Sequence, residues 1–292
     1  MRQNLAREIS YSHSAQTRTG RAMIRAMENS TGRIGLIKRA KGYETEVANG
    51  GDFWEIMAQR YGLSLDIIAG SLDNIPQKGP LILIANHPYG ILDGLVMGLI
   101  LARTRGDFRI MANNVFQKAE ALNRIILPIS FDQDKEAVRQ NLQTRKTALE
   151  YLGNDGAIGI FPGGTVSTAA KPMGLPLDPS WRAFTARMVS KSNATVVPIY
   201  FDGHTSRMFQ IASHLHATLR LGLLIKEFKK RVDSPVRLVI GKPIDRSELD
   251  ARSKDAREMM DFLRRSTYEL SPKPLDATRL GHEFEENHKA QR

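Results

Sequence analysis

The chain has 292 residues, with 42 Lys and Arg against 31 Asp and Glu and a formal charge of +11. Its 41% apolar content excludes a chain disordered throughout, and the absence of cysteine excludes disulfides, thiolate catalysis and Cys-ligated metal centres. The charge calls for an anionic neighbour: nucleic acid, an acidic membrane surface or a phosphate-rich substrate.

In chain order, residues 1–50 read as a basic N-terminal arm. The first 45 residues carry nine basic side chains, from Arg2 to Lys41, against Glu8, Glu28 and Glu44. Met23, Ile24, Met27, Ile34 and Ile37 interleave with them, as in a basic amphipathic helix or in a solvated arm. No signal-peptide core is present in residues 1–20, and no apolar run is long enough to span a bilayer. The expectation is a cytoplasmic protein, peripheral on the inner face of the membrane.

Residues 51–270 read as one α/β domain. Phe53, Trp54 and Met57 have core spacing on a helix. Leu81–Ala85 is a buried strand, followed by a helix near 92–102. Strands follow at 108–111, 125–131 and 157–161, with a charged helix over 134–152 between the last two. Thr195–Phe201 and Val236–Ile240 are further strands, with helices near 180–191, 208–231 and 247–269. This alternation predicts a mixed, mostly parallel sheet flanked by helices. Residues 271–292 read as a mobile tail.

Two segments have the composition of a site. Asn86-His-Pro-Tyr-Gly-Ile-Leu-Asp93 follows the strand at 81–85. His87 and Asp93 suit a general base and its orienter. A continuous helix would set them roughly 120° apart, so the pair needs a bend, which Tyr89-Gly90 supplies. The alternative is a His87 that caps the helix beside a solvated Asp93. In Phe161-Pro-Gly-Gly-Thr-Val-Ser167 an apolar strand runs into two glycines and hydroxyl residues. That suits an anion cradle or an ordinary tight turn.

Together the two segments resemble the signature blocks of the glycerolipid acyltransferase family, of the lysophosphatidic-acid-acyltransferase type. His87 and Phe161 are 74 residues apart, Ile129-Ser-Phe-Asp132 sits where the family has its second block, and Val197-Pro-Ile199 follows. The resemblance covers roughly residues 75–245. It implies an O-acyltransferase with an acyltransferase-like fold that moves a fatty acyl group from acyl-CoA or acyl carrier protein to a lyso-lipid hydroxyl, in phospholipid or related lipid synthesis. It further implies His87 as base, Asp93 as its partner, and Asn86, Phe161, Pro162, Gly163, Gly164, Thr165 and Ser167 as substrate contacts. Arg207, after the strand at 195–201, is a further candidate. No metal and no cofactor beyond the acyl co-substrate is implied, and no nucleic-acid partner is expected.

The chain departs from the family at four places. His87 and Asp93 are separated by five residues rather than four. Gly163 replaces a glutamate, Val166 an arginine, and Gln133 the usual arginine of the second block. These departures admit a non-glycerophosphate acceptor, such as a lyso-aminolipid. A basic nucleic-acid-binding protein is the competing class, disfavoured by 7% aromatic content.

Overall fold

The computed structural model describes residues 10–12, 15, 17–113, 122, 124–129 and 135–284. The helices are α1 (Arg18–Thr31), α2 (Arg33–Ala40), α3 (Tyr43–Ala48) and α4 (Phe53–Arg60), followed by strand β1 (Ser64–Ala69). The central run is β2 (Leu81–Ala85), α5 (Ile91–Thr104), β3 (Arg109–Asn113), β4 (Ile126–Ile129), α6 (Lys135–Gly153) and β5 (Ala157–Ile160). A two-stranded antiparallel ribbon, β6 (Thr168–Ala169) with β7 (Pro176–Leu177), leads to α7 (Phe184–Lys191) and β8 (Thr195–Phe201). The chain closes with α8 (Arg207–Leu215), α9 (Ala217–Lys229), β9 (Pro235–Ile240), α10 (Arg246–Ala251) and α11 (Ala256–Tyr268).

The seven-stranded sheet has the order β1-β9-β8-β2-β5-β3-β4. Only the β8–β9 pairing is antiparallel. The mixed, mostly parallel sheet expected from the sequence is therefore present. All five residues of β2 are fully buried, as a central strand covered on both faces requires. Leu81, Leu83 and Ala85 join one core, whereas Ile82 and Ile84 join the other. Gly98 of α5 admits the Trp54 ring, which a Cβ there would meet at 2.1 Å.

The N-terminal helices are part of the body. Ile24, Leu36, Ala40 and Tyr43 are buried, and α1 packs along α9. Residues 1–9 of the expected arm lie outside the described residues. Of the expected mobile tail, residues 285–292 lie outside the described residues, and residues 271–284 are hydrogen-bonded to the body. Arg264, buried, donates to the carbonyls of Ala277 and Arg279 at 2.7 and 2.6 Å. Arg182 grips Glu283 through two hydrogen bonds of 2.9 and 3.0 Å. Buried polar partners, invisible in composition, tie this segment down. Among the described residues no helix is long and apolar enough to cross a membrane.

Candidate active site

β2, β5 and β8 are parallel neighbours, so Asn86, Phe161 and Asp202 leave the sheet at one edge. That edge is where open α/β sheets bind ligands. Gly90, at φ +79°, turns the chain into α5 and places Asp93 in the first helical turn. Asp93 Oδ2 lies 3.0 Å from His87 Nδ1. The bend expected at Tyr89-Gly90 is there, and it takes up the extra residue between His87 and Asp93. Oδ2 also accepts the N–H groups of Tyr89 and Gly90 at 2.7 and 3.0 Å. Asp93 is fully buried. Burial pushes its carboxyl above the ordinary range, against the pull of His87 and the two amides.

His87 keeps 18% of its side chain exposed, and its ring stacks on Phe161 at 4.4 Å between centroids. Phe161 thus fixes the imidazole plane from the third block, Phe161–Ser167. The two blocks are also joined by backbone, since Ser167 N–H donates to His87 O at 2.8 Å. Gly163 and Gly164 form the turn between Phe161 and Ser167. A Cβ on Gly163 would stand 3.2 Å from the Asp178 carboxylate, and Gly164 has φ +68°.

Four expected contacts have other duties. The Asn86 amide donates to Phe201 O at 3.1 Å and accepts Phe201 N–H at 2.7 Å, so it clamps the end of β8. Ser167 is buried and its hydroxyl donates to Asp178. Arg207 is exposed and donates to the carbonyls of Met173 and Gly174 at 3.0 and 2.7 Å. Pro162 is buried, and its carbonyl accepts Arg182 N–H at 2.9 Å. In the second block, residues 130–133 lie outside the described residues.

The family is decided by sequence over most of the chain: a model described as Acyltransferase matches residues 52–278. The chain belongs to this acyltransferase family. The acyltransferase resembles two curated proteins named lyso-glycine lipid O-acyltransferase. One, from Phocaeicola vulgatus, is 25% identical over 76% of this chain and 78% of its own length. The other, from Bacteroides thetaiotaomicron, is 23% identical over 68% of this chain and 73% of its own length. The expected enzyme class, an O-acyltransferase, agrees with the family and with both names. The crystal structure of the 1-acyl-sn-glycerophosphate (LPA) acyltransferase PlsC from Thermotoga maritima aligns at a TM-score of 0.46 and 17% identity, covering 91% of this chain and 87% of that one.

Two buried charges of the acyltransferase escaped the sequence reading. Asp178 accepts from Trp181 Nε1 at 2.9 Å, from His87 N–H at 3.3 Å and from the Ser167 hydroxyl. Arg220 of α9 donates to the hydroxyls of Thr165 and Thr168 at 2.8 and 2.7 Å, to Ser213 at 3.2 Å and to Val166 O at 2.9 Å. The loop 165–168 is therefore gripped by a cation on one side and an anion on the other. Burial pushes the Arg220 pKa down to about 9, so it stays charged at neutral pH. The groups that accept its hydrogen bonds are all neutral, and it lies beside Val166, where the family carries an arginine.

Proposed function

We propose that this acyltransferase transfers a fatty acyl group from acyl-CoA or acyl carrier protein to the hydroxyl of a lyso-lipid, with an amino-acid-type headgroup rather than glycerol phosphate. The observation that carries the reading is the His87–Asp93 pair, stacked on Phe161 at the sheet edge. With Nδ1 on Asp93, His87 Nε2 takes the proton of the acceptor hydroxyl. The oxygen attacks the thioester carbonyl, the C–S bond breaks, and the imidazolium returns the proton to the leaving thiolate. Asp93 holds the tautomer and stabilises the imidazolium. The acceptor is itself the nucleophile, so the enzyme supplies none.

The oxyanion needs N–H donors. At the start of α5 three of these are already committed: Tyr89 and Gly90 to Asp93, and Ile91 to Tyr11 Oη at 3.2 Å. Gly164 N–H is committed to Phe161 O at 3.0 Å. Our reading therefore gives this role to the amides of Gly163 and Thr165.

The acceptor class rests on Gly163 and Val166, which remove the acidic and basic side chains of the family's third block, and on the names of the two relatives. Arg220 is the cation that remains there, suited to a carboxylate headgroup. The protein works at the inner membrane face, where acceptor and donor meet. Lipid mass spectrometry of cells lacking and overproducing it tests the reading. Deletion should accumulate one lyso-aminolipid and deplete its diacylated form. Unchanged lyso-lipids would contradict it.

A further inference from the structure

Helix α8 has two unlike faces. One is buried in the third block: Gln210, fully buried, accepts Ala169 N–H at 2.8 Å and donates to Thr205 Oγ1 at 2.6 Å, with Phe209 and Ala212 beside it. The other face presents Met208, Ile211 and Leu215 at i, i+3 and i+7, one stripe of a helix. These three are 42–71% exposed, and Met173 and Leu175 in the neighbouring turn are 70% and 45% exposed. Arg207 holds that turn against α8 through the carbonyls of Met173 and Gly174. Five large apolar side chains are thus gathered at one place and left bare. Exposed apolar groups scattered singly need no explanation, but a gathered set does.

The two segments that carry this set are one-signed. Neither 163–177 nor 203–226 contains an Asp or Glu, whereas both contain basic residues. Lys171 and Arg207 are exposed at the rim, and Lys226 Nζ lies 3.8 Å from Met208 Sδ. Bare apolar side chains with Lys171, Arg207 and Lys226 beside them match the interface of an anionic bilayer.

We propose that the bare face of α8 and the 171–175 turn form the surface on which this enzyme docks to an anionic lipid bilayer. The proposal deepens the lyso-lipid reading, since it places the bilayer against the helix whose other face builds the third block. A lipid acceptor then has a short path from membrane to His87, along α8. In the N-terminal segment Ile24, Leu36, Ala40 and Tyr43 are spent on packing, and Met23 and Ile34 are the large apolar side chains left half exposed.

The test is vesicle pelleting of the full chain with Ile211→Glu/Leu215→Glu, on vesicles of phosphatidylglycerol and phosphatidylethanolamine. Val138→Glu/Leu142→Glu on α6, equally exposed and apolar, is the control. The α8 pair should reduce vesicle binding at least tenfold in both low and high salt, because apolar insertion is not screened. The control should bind as wild type. Acyl transfer to a short-chain lyso-lipid dissolved as monomers should be unchanged in both, while transfer to vesicle-borne lyso-lipid should fall only in the α8 pair. Retained vesicle binding by the α8 pair, or equal loss in both pairs, overturns the proposal. So does loss of a solution dimer in the α8 pair with vesicle binding intact, which would assign the face to a second copy. Failure of all variants and wild type to acylate any lyso-lipid would sink the function reading while leaving the binding result to stand on its own.

Discussion

Asp93 Oδ2 accepts the N–H groups of Tyr89 and Gly90 at 2.7 and 3.0 Å and lies 3.0 Å from His87 Nδ1. The partner of the proposed base is thus also the group that starts α5. Asp93→Asn keeps the size but removes the charge and leaves an NH2 group beside donors. The expected outcome is a loss of about 10²–10⁴-fold in kcat, the usual worth of general-base assistance. Steady-state kinetics checks it, with a denaturation curve to show that the fold survives.

Tyr11 extends that unit beyond the matched segment. Its hydroxyl accepts Ile91 N–H at 3.2 Å and lies against Gly90. Burial raises its pKa, so it stays a neutral phenol. Tyr11→Phe leaves a buried N–H without its acceptor, at a cost of about 1–3 kcal/mol. We expect kcat to fall with the acceptor KM little changed. Unaltered kcat would mean that the N-terminal segment does not support the catalytic turn.

How far the sequence told this story depends on whether the partner is near in the chain. β2 and α5 are legible because continuous burial makes continuous apolar runs. The turn at Gly90 is legible because the His87–Asp93 spacing demands it. β1 escaped because Ser64–Ala69 is a half-buried edge strand with Asp66 in its run. The helix read over 208–231 is two: His216 is extended at φ −163°, and its Nδ1 accepts Thr218 N–H at 3.0 Å. The helix read over 247–269 is likewise α10 and α11. Asp178 and Arg220 were invisible because the groups they hold stand 91 and 55 residues away in the chain, at His87 and Thr165. The packing of the basic N-terminal arm was hidden for a related reason. The arm's charge was countable, but the burial of Ile24, Leu36 and Tyr43 was not.

Glu28 gives the N-terminal segment a pH signature. It is fully buried, accepts Tyr11 N–H at 2.6 Å and the Ser10 hydroxyl at 2.5 Å, and has Arg25 and Arg33 at 4.0 Å. Burial raises its pKa above the ordinary value, against those partners. The folded chain therefore takes up this proton before the unfolded chain as pH falls. Its contribution to stability grows on acidification from neutrality toward the ordinary carboxylate range, and Glu28→Gln lacks that gain. Urea midpoints should shift in favour of wild type, relative to Glu28→Gln, between about pH 7.5 and about pH 5. A constant difference would contradict this.

Arg220 tests the acceptor class. In Arg220→Gln the KM for a lyso-lipid bearing a headgroup carboxylate should rise about 10–100-fold, the worth of a hydrogen bond to a charged group. The KM for the same acceptor as its neutral amide should not rise. Equal losses on both acceptors would reduce Arg220 to a clamp on residues 165–168.

The central claim is that His87 activates the acceptor hydroxyl of a lyso-lipid. The direct measurement is acyl transfer by purified wild type and His87→Ala, from acyl-CoA and from acyl carrier protein, to a defined lyso-aminolipid. The account predicts diacylated product from wild type with at least one donor, and none above background from a folded His87→Ala protein. Product formation by that variant at a rate near wild type would contradict it.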